Sequence, residues 1–245
     1  MKKNILWACF LIVALLACGK NDGPARVRAA ICPSMPPNAF EENGTYRGID
    51  LELFEGFCRA RGYHCSVTAY DWQGMISAVA GGQADVAFSA LSITDKRREV
   101  IDFSKPYMEN AWHLVSLPGR NVVLRDLAEL KKYSVGYARG MAYSQFIRDD
   151  LEPKGIYRLK DALLYPNVSQ AMADLKNGNL DMVFLDASVA AAYKKKNFVR
   201  DSYVFTGVDY FGFAFPKGSP LRDDFDRYLT EMGPEKVRAI VDRWM

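Results

Sequence analysis

Apolar residues along this chain recur in two alternating rhythms. Short runs that are apolar or β-branched at almost every position, over 27–31, 67–70 and 86–88, predict strands. The last is apolar on both faces, as a strand buried in a parallel sheet should be. Between them lie stretches with apolar positions three and four apart, which predict helices. One runs from Asp50, expected to cap it, through Arg61, with Leu51, Phe54 and Cys58 on one face. Another is capped by Asp71 and carries Met75, Ile76, Val79 and Ala80. After Pro118-Gly119 the series begins again: a strand over 134–138, a helix over 142–151 and a strand over 156–159. A helix striped by Val168, Ala171, Met172 and Leu175 follows, then a buried strand over 182–185. A strand over 210–215 and a helix with Val237, Ile240, Val241 and Trp244 on its inner face close the chain. This alternation predicts an α/β protein.

One unit occurs twice. Gly82-Gln83-Ala84-Asp85-Val86-Ala87-Phe88 is echoed by Gly178-Asn179-Leu180-Asp181-Met182-Val183-Phe184, each time after an amphipathic helix. The glycine ends the helix, and a buried strand follows the aspartate. Two such units predict two Rossmann-like lobes, each with its own sheet, in preference to one large domain. The expected division gives 26–110 with 208–245 to the first lobe and 111–207 to the second. A two-segment hinge is expected near 109–113 and 206–210. Ligands of open α/β sheets sit beyond the carboxyl ends of the strands. Those ends are Ser89 to Ser92 in one lobe and Leu185-Asp186 in the other.

The first residues follow a different logic. Lys2 and Lys3 precede an apolar run over 5–16, and Leu15-Leu16-Ala17-Cys18 closes it. The run is too short to span a membrane with ordinary flanks and predicts an export signal over 1–17. The cysteine after a small residue resembles the bacterial lipobox, which implies lipidation of Cys18 and a tether over 18–25. The formal charge of +3 falls almost to neutrality without Lys2 and Lys3, so nothing points to nucleic acid. With no second long apolar run, membrane contact is expected through the lipid anchor alone.

The chain has five cysteines. Cys58 and Cys65 flank a short segment leaving a helix, where export makes a disulfide reasonable. A metal site of Cys58, His64 and Cys65 would lack a fourth ligand and has poor spacing for zinc. Cys32 is then unpaired, and no metal or cofactor is expected.

Candidate chemistry concentrates at the strand ends. In Ser92-Ile93-Thr94-Asp95-Lys96-Arg97, Thr94 and Asp95 can start a helical turn that presents Arg97. A guanidinium is a natural bidentate partner for a carboxylate. Asp186 leaves the matching strand of the other lobe and offers an anion for an ammonium. Taken singly, Arg97 reads as a surface charge beside Lys96 and Arg98, and Asp186 as the N-cap of a helix over 187–195. Together they suit a zwitterionic amino acid.

A further set of motifs runs through the chain in order: Pro36-Pro37 with Asn43-Gly44 and Gly48-Ile49-Asp50-Leu51-Glu52-Leu53, then Trp72-Gln73-Gly74-Met75-Ile76. It continues through Gly82 to Asp85, Leu91 to Arg97, Val100-Ile101-Asp102-Phe103-Ser104-Lys105-Pro106-Tyr107, Val135-Gly136 to Gly140, and Asn177 to Asp186. In this order and spacing the chain resembles the amino-acid-binding components of bacterial ABC importers, the bilobed Venus flytrap proteins. The resemblance implies that Arg97 holds the ligand carboxylate and Asp186 the ammonium, with Ser92 and the backbone at Ala90 adding hydrogen bonds. Trp72 would pack on the ligand or in the core. The helix start at Gly140-Met141-Ala142-Tyr143 would face the carboxylate. A Cys58–Cys65 disulfide resembles one in the histidine- and lysine/arginine/ornithine-binding branch.

Departures from that pattern carry information. Cys32 stands where basic-amino-acid binders carry an acid, and Met35 where they stack a tyrosine, so a basic ligand is not expected. Met141 and Ala142 replace hydroxyl residues. Arg139 adds a cation that could meet an acidic ligand side chain or face water. The expectation is a monomeric, lipid-anchored binder on the periplasmic or extracellular face, serving an ABC permease. A sensor module and a cyclohexadienyl dehydratase-like enzyme are the alternatives. The two histidines, His64 and His113, form no recognisable catalytic constellation, and no catalytic residue is expected.

Overall fold

The computed structural model describes residues 25–245. The expected export signal, Cys18 and nearly all of the tether lie outside the described residues. In chain order come β1 (Arg26–Ile31), β2 (Ser34–Met35), β3 (Ala39–Glu42), β4 (Thr45–Arg47) and α1 (Ile49–Arg61), then β5 (His64–Ala69), α2 (Trp72–Ala80), β6 (Val86–Phe88), α3 (Asp95–Arg98) and β7 (Ile101–Phe103). A second run holds β8 (Met108–Ser116), β9 (Val135–Ala138), α4 (Tyr143–Phe146), β10 (Leu163–Tyr165), α5 (Val168–Asn177), β11 (Met182–Asp186), α6 (Ala187–Lys195) and β12 (Arg200–Phe211). The chain ends with β13 (Ala214–Pro216), α7 (Pro220–Met232) and α8 (Pro234–Trp244).

Two sheets of five strands result, ordered β5-β1-β6-β13-β7 and β10-β9-β11-β8-β12. Each mixes parallel strands, linked through helices, with antiparallel partners. A small meander, β2-β3-β4, stands apart. Its β3–β4 turn is Asn43-Gly44, both at positive φ, as a tight two-residue hairpin requires. The echoed strands β6 and β11 are buried at every position. Aromatic side chains fill both lobes: Phe54, Phe88, Phe213 and Phe225 pack ring to ring in one. Tyr137, Tyr143, Phe184 and Phe205 do so in the other.

The structure gives the echo a physical reason. Asp85 accepts the backbone N–H of Arg28 and its guanidinium, while Arg28 Nη2 also donates to the Gly82 carbonyl at 3.0 Å. Asp181 accepts the backbone N–H of Ser134 and the guanidinium of Arg120, whose Nη2 donates to the Gly178 carbonyl at 3.1 Å. In each lobe one arginine thus clasps a glycine at or just past the end of a helix (Gly82 follows the Gly81 cap of α2, and Gly178 caps α5) and the aspartate before the central strand. The repeated residues are structural.

Cys58 and Cys65 form a disulfide between α1 and β5, and Cys32 is a free, buried thiol. Among the described residues no group of His, Cys, Asp and Glu is arranged to hold a metal ion. None of their helices is long and apolar enough to cross a membrane.

Three sequence expectations need correction. The strand expected over 156–159 is absent: Tyr157 turns its buried ring inward, with its hydroxyl on the Asp161 carbonyl, and the chain makes a short helical turn over Leu159–Asp161. The strand beside β9 is instead β10, an edge whose Leu163 and Leu164 stay exposed. The apolar run over 210–215 is two strands in different sheets, β12 and β13. The chain crosses between them at Gly212, which packs so closely on Ile93 that a Cβ would come within 2.9 Å of it. Asp50 does not cap α1, since Gly48 occupies that position and Asp50 is a buried residue of the first turn.

Candidate functional site

Arg97 reaches the site from α3, a single helical turn held by Thr94, whose hydroxyl accepts the Arg97 backbone N–H. The residue is 9% exposed. Nη1 donates to the Ser92 carbonyl at 2.7 Å, and Nη2 to the Gly140 carbonyl of the other lobe at 2.9 Å. It also lies over the Trp72 ring, 5.5 Å from its centroid. Burial lowers its pKa to about 10, with Asp209 and Asp186 opposing, so it keeps its charge at neutral pH.

Trp72 opens α2, where Asp71 accepts the Gly74 N–H at 2.6 Å as a true N-cap. The indole is half-buried and donates to the same Gly140 carbonyl at 3.1 Å. One carbonyl of the second lobe therefore receives two donors from the first. Gly140 has φ +82°, and a Cβ there would stand 2.8 Å from Trp72 Cδ1. The backbone approaches this closely only because the residue is glycine.

Asp186 ends β11 and occupies the N-cap position of α6 without capping it. Asn110 of β8 does so instead, its Oδ1 accepting the Ala187 N–H at 3.2 Å. Asp186 is thereby free to face inward, 2% exposed. Its Oδ1 accepts from Asn110 Nδ2 at 2.9 Å and from the Tyr143 hydroxyl at 2.8 Å. Its Oδ2 is buried with no hydrogen-bond partner. Burial, reinforced by the charge of Asp209, pushes the pKa of Asp186 up to about 7.

Asp209 is the residue that sequence reasoning missed. Its Oδ2 accepts from the Ser92 hydroxyl at 3.0 Å, Asn110 Nδ2 at 2.7 Å and the Trp112 indole at 2.9 Å. Burial raises its pKa as well. A slip in the β8–β12 register aims it: Phe205 pairs with Trp112 and Asp209 with Asn110, so residues 206–208 loop out between them. An aspartate inside an otherwise apolar run was the available signal.

The remaining expected residues divide. Ser92 gives its hydroxyl to Asp209 and its carbonyl to Arg97, so it organises the charges. Ala90, at φ +51°, has its N–H committed to Asp50 at 2.8 Å, which leaves its carbonyl as the group able to meet a ligand. Asp50 is also bonded by Tyr107 and Asn38, and burial raises its pKa to about 6. Cys32, Met35, Trp72 and Met141 line one cleft of about 430 Å³ between the lobes, with Arg139 and Asp71 beside them. Ala142 lines a separate opening of about 280 Å³ shared with Trp112 and Asp209. The Tyr143 ring is in the core, stacked on Phe184, and it serves the site through its hydroxyl. α4 is a single turn prolonged by a wider turn over Ile147–Leu151, so little helix dipole stands behind its start.

Arg97 and Asp186, buried and brought together from different lobes, form the centre of the candidate site. The sequence pattern of bacterial extracellular solute-binding proteins, family 3, matches residues 27–245. A probable histidine-binding protein of Neisseria gonorrhoeae is 28% identical over 243 residues, which cover 92% of this chain and 86% of that one. An ancestral arginine-binding protein bound to arginine has a TM-score of 0.78 at 28% identity, covering 90% of this chain and 98% of its own. An ancestral arginine-binding protein bound to glutamine gives 0.76 at the same identity and coverage. A match of this extent, on two sheets that meet over a cleft, makes the chain a member of the family 3 bacterial extracellular solute-binding proteins.

Proposed function

We propose that this protein captures an amino acid without a basic side chain between its two lobes and delivers it to an ABC transporter. The observation that carries the reading is the pairing of a buried cation from one lobe with a buried, half-satisfied anion from the other. Arg97 offers a guanidinium for the α-carboxylate. Asp186 Oδ2, buried without a partner, is the acceptor that an α-ammonium completes. Each lobe supplies one charge, so full affinity needs closure. The names of relatives support the class: one is a probable histidine-binding protein, and ancestral arginine-binding proteins occur bound to arginine and to glutamine.

The side-chain region supports the exclusion of basic ligands. Cys32, Met35 and Met141 line it, with Asp71 as its one acid and Arg139 as a cation beside it, and Lys196 lines a separate neighbouring cavity. The export signal and the lipid on Cys18 complete the reading as a lipoprotein of the periplasmic or extracellular face, bound to its membrane through the anchor. A thermal-shift screen of the purified protein against the common amino acids tests the function. A ligand at a hundred times its Kd adds about 2.7 kcal/mol of stability. No shift with any amino acid would remove the reading.

A further inference from the structure

Three elements of the first lobe meet on one buried carboxylate, Asp50, in the first turn of α1. Its Oδ2 accepts the Ala90 N–H at 2.8 Å, just beyond the end of β6. Its Oδ1 accepts from Asn38 Nδ2 at 3.3 Å, in the loop that follows Met35. The same oxygen accepts the hydroxyl of Tyr107, the residue before β8. The main chain reinforces this junction. Pro37 and Asn38 carbonyls accept the N–H groups of Ile49 and Asp50 at 3.0 and 2.9 Å. Gly48 lies so close to Asn38 that a Cβ would stand 2.3 Å from its carbonyl oxygen.

Ala90 shows what the junction does for the site. Its φ of +51° lies in the left-handed region, which an alanine seldom adopts. Such a backbone persists only where its surroundings hold it, and it is typical of ligand clamps. The residues on either side belong to the site. The Ser89 hydroxyl accepts the N–H of Cys32, a wall of the cleft, at 2.9 Å, and the Ser92 carbonyl accepts from Arg97. Among the described residues no turn or loop N–H reaches the Ala90 carbonyl, which lies outside every strand. Its N–H is committed to Asp50, and its oxygen is the free end.

We infer that Asp50 is a positioning residue for ligand capture: its carboxyl oxygen holds Ala90 in the left-handed conformation and so presents the Ala90 carbonyl to the ligand ammonium. The inference rests on the amino-acid-binding reading and adds to it a residue that never touches the ligand. One acceptor oxygen is enough for the task, so an amide in place of the carboxyl preserves it, whereas a methyl group does not.

The test uses the purified protein and the common L-amino acids, each added singly in a thermal-shift assay. Calorimetry then follows the one that stabilises the parent most. Asp50→Asn should bind within about threefold of the parent, and Asp50→Ala should lose at least about tenfold. The loss should run through Ala90. In an Ala90→Gly background, where a left-handed φ has no steric cost, Asp50→Ala should weaken binding by no more than about threefold. A residue that merely stabilised the lobe would cost the same in both backgrounds. Where Asp50→Ala does not fold, Asp50→Leu/Tyr107→Phe replaces the carboxyl and its hydroxyl donor with apolar groups of similar shape, with the same expected loss. A loss of about tenfold or more in Asp50→Asn overturns the inference. So does a folded Asp50→Ala that binds as the parent does, or an equal loss in the two backgrounds. Each of these results leaves amino-acid binding standing, whereas a parent that responds to no amino acid removes both.

Discussion

The side-chain amide nitrogen of Asn110 donates to Asp186 at 2.9 Å and to Asp209 at 2.7 Å, so one neutral residue of the hinge strand holds two buried carboxylates side by side. Like charges this close disfavour joint ionisation, and Asp209 contributes to raising Asp186 to about 7. An ammonium, however, needs Asp186 ionised.

Binding should therefore release protons below neutral pH, and affinity should fall as the pH drops below about 7. Calorimetry near pH 6 in two buffers of different ionisation enthalpy reads the released protons directly. Asp209→Asn removes the charge that pushes Asp186 upward and should move the proton release to lower pH. Unchanged release in that variant would contradict the coupling.

The same shift sets a stability trend for the ligand-free protein. A carboxylate whose folded pKa lies above its unfolded value is most favourable below the unfolded pKa, and its contribution is lost as pH rises through the folded one. For Asp186 the window runs from about pH 4 to about pH 7, and Asp50, raised to about 6, acts in the same direction. Between about pH 5 and pH 8 the melting temperature should fall, and less steeply in Asp186→Asn. Thermal melts across that range decide it.

Removing Arg97 strands the ligand carboxylate and the organised carbonyls of Ser92 and Gly140 together. Arg97→Ala should weaken binding at least about a hundredfold, in line with about 2–5 kcal/mol for a desolvated charge pair. Arg97→Lys should rescue only part of it, because an ammonium cannot donate as a planar fork. A loss of about tenfold or less for Arg97→Ala, by calorimetry, would place the carboxylate elsewhere.

Gly140 tests lobe closure separately from charge. Alanine there adds a Cβ in a left-handed backbone, against the Trp72 ring. The strain costs on the order of 1 kcal/mol. Because the clash lies between lobes, Gly140→Ala should weaken ligand binding and leave a more open molecule by small-angle scattering. Equal compactness with ligand in both proteins would count against this contact as a closing one.

The Cys58–Cys65 disulfide closes a short loop from α1 to β5. Cys58→Ser/Cys65→Ser should cost about 2–3 kcal/mol by loop entropy. In a protein of this size that lowers the melting temperature by roughly 5–10 °C. The site lies elsewhere, so affinity measured well below the melt should be unchanged.

Much of this was legible in the sequence where the signal was local. The echoed units announced two central strands because both are apolar on every face. Asp71 was readable as a cap because its partner, Gly74, is three residues away. Arg97 and Asp186 stood out because strand ends are where ligands meet an α/β sheet. Asp209 showed only as an aspartate in an apolar run, and its role was not readable: its partners Ser92 and Asn110 are 117 and 99 residues distant, and only the slipped β12 register turns it inward. Asp50 resembled a cap in sequence because the Ala90 N–H that claims its carboxylate is 40 residues on. The run over 210–215 hid a change of sheet because apolar continuity says nothing about which neighbour a strand pairs with.

The position of β13 in its sheet has a consequence for how the molecule is built. It lies between β6 and β7, and β7 has no other strand partner. The sheet beside Arg97 therefore cannot close until residues 214–216 are available, whereas every strand of the sheet beside Asp186 comes from the unbroken stretch 108–211. On a chain made from its N-terminus, the half carrying the anion can be finished while the half carrying the cation still waits for the strand that joins β6 to β7. Pulse-labelled hydrogen exchange during refolding should accordingly protect β9 and β11 before β7, and the binding function should arrive only with the last segment of the polypeptide.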